Sequence, residues 1–167
     1  HGGAATSSIN VNVFGLHPVV RHGTDEQKRR WLPPMIQGKD RAAFGVTEPN
    51  AGLDTSRIET RAVRDGGHYV VNGRKMFTTT AQSANKFMLI TRTTPREECE
   101  KTLEGLTLFY TDFDRSCIEA REVEKFVRHA VDINAVFIDN LKIPVEDRIG
   151  EEGRGFYSLL DGLTPER

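Results

Sequence analysis

Short apolar or alternating segments, separated by turn residues, fill the middle of the chain and constrain its fold more than any other feature. Asp65-Gly66-Gly67 predicts a hairpin turn between Ile58–Arg64 and His68–Asn72, and Asn72-Gly73 predicts a second hairpin that leads into Arg74–Thr79. The other predicted strands are Ala42–Thr47, Phe87–Arg92, Leu106–Thr111, Ile118–Glu124 and Ile133–Ile138. About seven short strands with turns between them predict a mainly β fold, an antiparallel barrel-like or sandwich domain.

Helical patterns occur only near the two ends and predict short α-helical segments that flank the β-domain. Thr24–Gln37 is the clearer helix, because Thr24 is a good N-cap and Gln27, three residues later, completes a capping box. We expect Pro33-Pro34 to bend or end this helix early and Gly38 to close it.

Two further helices are predicted at the extremities. Residues 7–21 are expected to form a helix tail that breaks near Pro18, and Gly155–Leu163 opens a final helix. Because the sequence stops soon after that helix begins, at Arg167, we expect a partner domain beyond it.

Composition and charge exclude several classes of function. The chain has 167 residues, enough for one domain, and its 23 basic and 24 acidic residues leave a net charge of −1. No basic field attracts nucleic acid, no apolar run is long enough to span a membrane, and no secretory signal is expected. Cys99 and Cys117 lack a CxxC spacing and are expected to be free thiols in a reducing compartment. The five histidines share no ligand spacing, so no metal site is expected.

The most informative segment is Ala43–Asp54, AFGVTEPNAGLD. Its residues predict a buried strand that ends at Thr47 and continues into a turn. A strand end with a free hydroxyl and exposed backbone N–H groups is able to bind a polar heterocycle, and it is equally able to be a structural loop. No P-loop, nucleophile elbow or strand followed by GxGxxG offers another site.

Five blocks of sequence give the chain a clear resemblance to the acyl-CoA dehydrogenase family. The five blocks, in the order of that family, are GTDEQKRRWLPPMIQGK (23–39), AFGVTEPNAGLD (43–54), VNGRKMFTTTAQSANKFMLITRT (71–93), FIDNLKIPVED (137–147) and GEEGRGFYSLLDGLTPER (150–167). The resemblance divides the chain into the tail of an N-terminal helical domain (1–40), a middle β-barrel domain (41–150) and the start of a C-terminal helical domain (151–167).

The resemblance also implies a flavin site. Phe44, Val46 and Thr47 match positions that line the isoalloxazine ring of FAD, where the threonine hydroxyl and nearby N–H groups bind the pyrimidine side. Phe77 takes the place of a tryptophan that packs against the flavin, and Thr79 matches a threonine near N5, the atom that accepts hydride. Reduction puts negative charge near N1 and the C2 carbonyl, on the pyrimidine side, and donors placed at that side stabilise it.

The substrate residues depart in part from the family pattern. Leu53 stands where a serine commonly contacts the coenzyme A arm, so either the arm is held otherwise or the acyl carrier differs. Leu163 and Arg167 match positions close to the substrate. Glu166 falls where some members carry the carboxylate that removes the α-proton, whereas most members carry it in the C-terminal domain.

The implied activity is FAD-dependent α,β-dehydrogenation of an acyl-CoA thioester, with electrons passed to an electron-transfer flavoprotein. A homo-oligomer in the cytoplasm, or in the mitochondrial matrix of a eukaryote, is expected. Three alternatives stay open: a flavin oxidase or monooxygenase of the same fold, an acyl substrate bound to a carrier protein, and a non-catalytic β-domain that binds flavin weakly. The last describes what we expect of these 167 residues alone, because the family completes its FAD site with other domains.

Overall fold

The computed structural model describes residues 16–126, 129 and 131–163. Its main element is one eight-stranded sheet with the strand order β6-β7-β3-β2-β4-β5-β8, and β1 pairs with β4 beside this path. The strands are β1 (Ala42–Gly45), β2 (Arg61–Asp65), β3 (His68–Thr79), β4 (Lys86–Arg92), β5 (Leu106–Asp112), β6 (Ile118–Glu122), β7 (Ile133–Pro144) and β8 (Arg148–Ile149). The sheet is barrel-like but open, which confirms the prediction of a mainly β domain.

The strand β4 is the centre of this sheet. One of its edges is covered along its whole length by antiparallel β5. The other edge is shared by two parallel partners, because β1 pairs with Lys86 to Leu89 and β2 pairs only with Arg92. The predicted all-antiparallel pairing is therefore wrong where β4 meets β1 and β2, whereas β2 and β3 form the predicted antiparallel hairpin. Residues 46–60 leave the sheet in the gap between these two strands.

Two apolar clusters fix β4 from both sides. Phe87 and Leu89 belong to the cluster on one face, whereas Met88 and Ile90 belong to the cluster on the other face, which includes Trp31 of the helical layer. A strand buried on both faces reads as a continuous apolar run, as β4 does.

Three helices flank the sheet: residues 16–22 (α1), Asp25–Ile36 (α2) and Gly155–Leu163 (α3). The predicted capping box is present, since the Gln27 N–H donates to the Thr24 hydroxyl and the Thr24 N–H donates to the Gln27 side chain. The Gln27 amide also donates to two carbonyls near β8, at 2.7 and 2.8 Å. This side chain therefore both caps α2 and attaches it to the sheet.

Proline does not end either α1 or α2 where they are described, so the predicted early end of α2 is wrong; residues 7–15 of the predicted helix tail lie outside the described residues. Pro18 lies within α1, and α2 continues through Pro33-Pro34 to Ile36. The turn after these prolines is held by its own bonds, from the Gln37 N–H to the Pro33 carbonyl at 3.0 Å and from the Gly38 N–H to the Met35 carbonyl at 3.0 Å. Burial of Met35 in the second apolar cluster stabilises that turn further. No helix among the described residues is long and apolar enough to cross a membrane.

Asn72-Gly73 is not a hairpin, because β3 runs through it without reversing. The opposite strand β7 has a bulge there, with Asn140 at a φ of 52°. The Asn72 side chain accepts the Asn140 N–H at 2.8 Å and so completes the bulge. Gly73 is required by close approach, since a Cβ there would lie 2.7 Å from the Cα of Thr60.

Alanine at position 73 is expected to be more destabilising than alanine at a turn glycine. Gly73→Ala forces the backbone of Thr60 to move and should lower the free energy of unfolding by about 3 kcal/mol. Gly66→Ala is the matched control, because Gly66 has a φ of 58° and nothing within 4 Å of an added Cβ; it should cost about 1 kcal/mol. Urea denaturation of both variants measures the difference, and equal losses would contradict this account of Gly73.

Candidate functional site

The end of β1 lies beside the second half of β3, at the gap on the β4 edge. The Met76 N–H donates to the Thr47 carbonyl at 2.8 Å, and the Thr80 hydroxyl donates to the Ala42 carbonyl at 3.4 Å. The fold thereby brings together two segments that carry the predicted cofactor contacts. These segments are Phe44–Thr47 and Phe77–Thr79.

The groups exposed at this junction suit a flat, polar-edged aromatic cofactor. Phe77 is 61% exposed, while Thr47 and Thr79 are half-buried. Within the described ranges the Thr47 hydroxyl has no hydrogen-bond partner. A large exposed ring next to an unpaired hydroxyl is the combination of apolar surface and oriented donors that cofactor sites use. The chain therefore fits the flavin that the resemblance implies, and the individual flavin contacts stay predictions.

The β3 backbone departs from regular geometry at this place. Met76 and Phe77 together oppose one residue of β7, which is a bulge. Phe77 has a φ of 57° and Thr80 a φ of 63°, a conformation that bulky and β-branched residues rarely adopt. The buried Asn134 amide holds the segment by donating to the Thr78 carbonyl at 3.0 Å. Strained backbone held by its surroundings is typical of functional sites.

A buried ion pair that the sequence interpretation missed supports the junction from beneath. The Lys75 ammonium lies 2.7 Å from the Glu48 carboxylate, with 0% and 4% of the two side chains exposed. Lys75 also donates to the Val46 carbonyl at 3.3 Å. The carboxylate accepts the N–H groups of Glu59 at 2.7 Å and Thr60 at 3.0 Å.

Burial and attraction act in opposite directions on this pair. For Glu48, desolvation would raise the pKa, but Lys75 and the hydrogen bonds from Thr60 and Glu59 outweigh it and hold the pKa below its usual value. For Lys75, burial lowers the pKa to about 8 although Glu48 opposes the shift. Both groups are therefore charged near neutral pH.

The alternating burial expected along a strand was the sequence signal that identifies Lys75 as a buried residue. Tyr69 and Val71 point into the buried phase of β3, and residue 75 follows in the same phase. A lysine in the buried phase of a strand requires a carboxylate partner, because an unpaired buried charge is very costly. The predicted strand that ends at Thr47 is followed directly by Glu48, which supplies such a carboxylate.

A cavity of about 480 Å³ lies beside residues 46–60, and four arginines line it together with Glu59 and Glu97. Arg92 is buried and donates to the carbonyls of Ser56 and Ile58. The other three guanidinium groups are on exposed residues; they belong to Arg57, Arg61 and Arg96. Leu53, which is fully exposed, precedes the Asp54 cap of the short helix that lines this cavity. Its apolar side chain offers no hydrogen bond to a substrate arm.

The remaining predicted substrate residues are not brought to this junction by the described chain. Leu163 is half-buried at the end of α3 and packs against the second apolar cluster. Glu166 and Arg167 lie outside the described residues. Among the residues that are described, no group of three or more potential ligands is placed to hold a metal ion. Cys99 and Cys117 are free thiols.

The lowered pKa of Glu48 predicts a specific acid dependence of stability. A carboxylate whose pKa is lower in the folded state stabilises the fold above its unfolded pKa and loses this contribution as pH falls through the folded pKa. Glu48→Gln leaves Lys75 buried without a counter-charge and should lower the free energy of unfolding by about 3 kcal/mol at pH 7. The difference from the unaltered protein should shrink as pH falls below about 4.5.

Guanidinium denaturation at a series of pH values measures this difference. Glu119→Gln is the control, because Glu119 pairs with Arg121 on the surface. It should change stability little at any pH. A Glu48→Gln difference that is constant from pH 7 to pH 3 would show that the charge of Glu48 does not contribute.

Known protein families account for most of the sequence. The family model for the middle domain of acyl-CoA dehydrogenase matches residues 43–141, and the model for its N-terminal domain matches residues 1–39. The short-chain specific acyl-CoA dehydrogenase of Clostridium acetobutylicum is 38% identical over 146 residues, which is 84% of this chain and 37% of that protein. The chain spans about two fifths of the length of the relatives it matches.

Solved structures agree with this relationship. The prolyl acyl carrier protein oxidase AnaB superposes with a TM-score of 0.89 at 26% identity, over 96% of this chain and 42% of that one. A structure described as an electron transferring flavoprotein of Acidaminococcus fermentans gives a TM-score of 0.87 at 28% identity, over 96% and 42% of the two chains. By sequence and by fold, this chain belongs to the acyl-CoA dehydrogenase family.

Proposed function

We propose that the protein catalyses FAD-dependent α,β-dehydrogenation of an acyl-CoA thioester. The observation that carries this proposal is the junction of Phe44–Thr47 with Phe77–Thr79, which brings together an exposed ring, strained backbone and a hydroxyl that has no partner among the described residues. FAD, when bound, supplies the hydride acceptor of the reaction.

The residues of the chain then have distinct roles. Thr47 would donate its hydroxyl to the pyrimidine side of the flavin, Phe77 would cover the ring and Thr79 would lie near the hydride-accepting edge. Fixed donors at the pyrimidine side would favour the reduced cofactor, because negative charge develops there and the donors need no reorganisation. Glu166 is our candidate for the base that removes the α-proton; burial by the surrounding domains would raise its pKa and make it a stronger base. Leu163 and Arg167 are proposed to lie along the substrate.

A second candidate function also uses flavin but has a different acyl carrier and a different electron acceptor. The AnaB oxidase acts on a prolyl acyl carrier protein, and this chain has Leu53 where a hydrogen-bonding residue is expected. An oxidase would pass electrons to O₂. A dehydrogenase would pass them to an electron-transfer flavoprotein, which we propose as partner on the basis of the family resemblance. Assembly as a homo-oligomer in the cytoplasm or mitochondrial matrix belongs to the same proposal.

Anaerobic bleaching of the flavin tests the reaction. A series of acyl-CoAs is added to the full-length flavin-loaded protein, and at least one should bleach the absorbance near 450 nm, the usual band of oxidised flavin. Glu166→Gln should keep the flavin spectrum and slow bleaching by about 10³-fold. Bleaching at the unaltered rate would assign the base elsewhere, and rapid re-oxidation in air would favour the oxidase. Bleaching by none of the series would contradict the proposed reaction.

The 167 residues alone are expected to bind FAD weakly. They supply one wall of the site, whereas tight cofactor binding needs most of the ligand surface covered. Fluorescence titration should give a dissociation constant above about 1 μM, equivalent to less than about 8 kcal/mol of binding free energy. Tighter binding would mean that the described junction alone makes the site.

The arginine-lined cavity supports coenzyme A as the carrier, because its exposed guanidinium groups complement phosphate. Arg96→Glu should raise KM for an acyl-CoA about tenfold with little change in kcat. The same variant should leave KM for the matching acyl-pantetheine, which lacks the nucleotide phosphates, unchanged. Arg64→Glu, an exposed change on β2 outside the cavity, is the control. Equal effects on both thioesters would show that the phosphates of coenzyme A do not bind in this cavity.

A further inference from the structure

The buried ion pair makes contacts that the proposed chemistry does not use. Lys75 donates to the Val46 carbonyl at 3.3 Å, and the next residue of β3, Met76, donates its N–H to the next carbonyl of the β1 end, that of Thr47, at 2.8 Å. Two consecutive carbonyls are thus held by two consecutive residues. The Glu48 carboxylate holds Lys75 in place at 2.7 Å.

Planarity of the peptide group extends this effect to a donor. The carbonyl of Val46 and the N–H of Thr47 share one trans peptide plane and point in opposite directions. When Lys75 fixes the carbonyl towards the buried side, it also fixes the Thr47 N–H away from that side. The same contact therefore aims a backbone donor at the surface where the cofactor is proposed to bind.

Stability alone does not account for the pair. Charges are expensive to remove from water, and apolar side chains of similar volume commonly fill such a space with equal or greater stability. For Lys75, burial lowers the pKa to about 8 against the attraction of Glu48, so the desolvation of the ammonium group is not fully offset, whereas the lowered pKa of Glu48 shows that the carboxylate gains from its partners. An apolar side chain at position 75 would have no donor for the Val46 carbonyl.

We propose that Glu48 and Lys75 are positioning residues for the flavin, which act by fixing the Val46–Thr47 peptide plane. This inference rests on the proposed function, since it assigns the cofactor to that surface. Neither side chain touches the cofactor. Glu48 anchors the ammonium group through its own bonds to the N–H groups of Glu59 and Thr60, and the ammonium orients the plane.

Three variants of the full-length protein test the proposal. Lys75→Met removes the charge and the donor at similar length, and the double variant Glu48→Gln/Lys75→Met also removes the charge that would be left unpaired. Lys86→Met is the matched control, because Lys86 is also ion-paired, with Asp112, but on β4. Each variant is compared for FAD affinity, flavin midpoint potential, thermal stability and hydrogen exchange of the Met76 amide.

Loss of the positioning contact should weaken FAD binding about tenfold or more in both Lys75 variants. We also expect a shifted midpoint potential and exchange of the Met76 amide that is about tenfold faster. The double variant should regain most of the thermal stability that Lys75→Met loses, because no lone buried charge remains, but it should not regain FAD affinity. Lys86→Met should match the unaltered protein in affinity, potential and exchange.

The outcomes separate this inference from the proposed function. A double variant with unaltered FAD affinity and potential would overturn the positioning role and leave a structural one. An unaltered protein that takes up no FAD would overturn the proposed function, and the positioning role with it. If Lys75→Met does not fold, the double variant decides alone.

Discussion

Burial of β4 on both faces is the constraint on which the rest of the structure depends. Phe87 and Leu89 pack on one side and Met88 and Ile90 on the other, each contributing about 1.5–3 kcal/mol through burial. A strand held in this way cannot shift its register, because a slip of one residue would exchange the two faces. The edge of β4 that does not pair with β5 is divided between β1 and β2, so the gap between these two strands has a fixed position. The candidate site is built around that gap.

Irregular backbone geometry is concentrated at the end of β3, beside the gap. The β3 bulge, the positive φ of Phe77 and the positive φ of Thr80 all fall within a few residues of each other. Such conformations cost of order 1–3 kcal/mol each and persist only if their surroundings enforce them. The enforcement comes from groups outside β3, namely the Asn134 amide at the Thr78 carbonyl and the carbonyl of Thr47 at the Met76 N–H. The site is therefore pre-shaped by packing and hydrogen bonds before any ligand binds.

Local patterns in the sequence were sufficient for most of the fold. Apolar alternation predicted the strands, and Thr24 with Gln27 predicted the start of α2, because both are decided by nearby residues. The errors arose where a distant contact overrides a local preference. Asn72-Gly73 has the composition of a turn, but Thr60 and Asn140 make it part of a continuous strand. For the site, family blocks identified which strand ends to examine, whereas the ion pair beneath them required the three-dimensional pairing of two blocks.

The pairing of Glu48 with Lys75 explains why the two sequence blocks that contain them act as a unit. Thr47 and Glu48 are neighbours in the sequence, yet an extended chain turns consecutive side chains to opposite sides, so one is half-exposed and the next is buried. Along β3, Lys75 and Phe77 are two residues apart and would share a face of a regular strand, but the bulge at Met76 and Phe77 leaves Lys75 buried and Phe77 exposed. Each block thus supplies an outer residue for a ligand and an inner residue that supports the partner block. Because the inner pair of Glu48 and Lys75 joins residues 27 positions apart, it links the two blocks directly beneath Thr47.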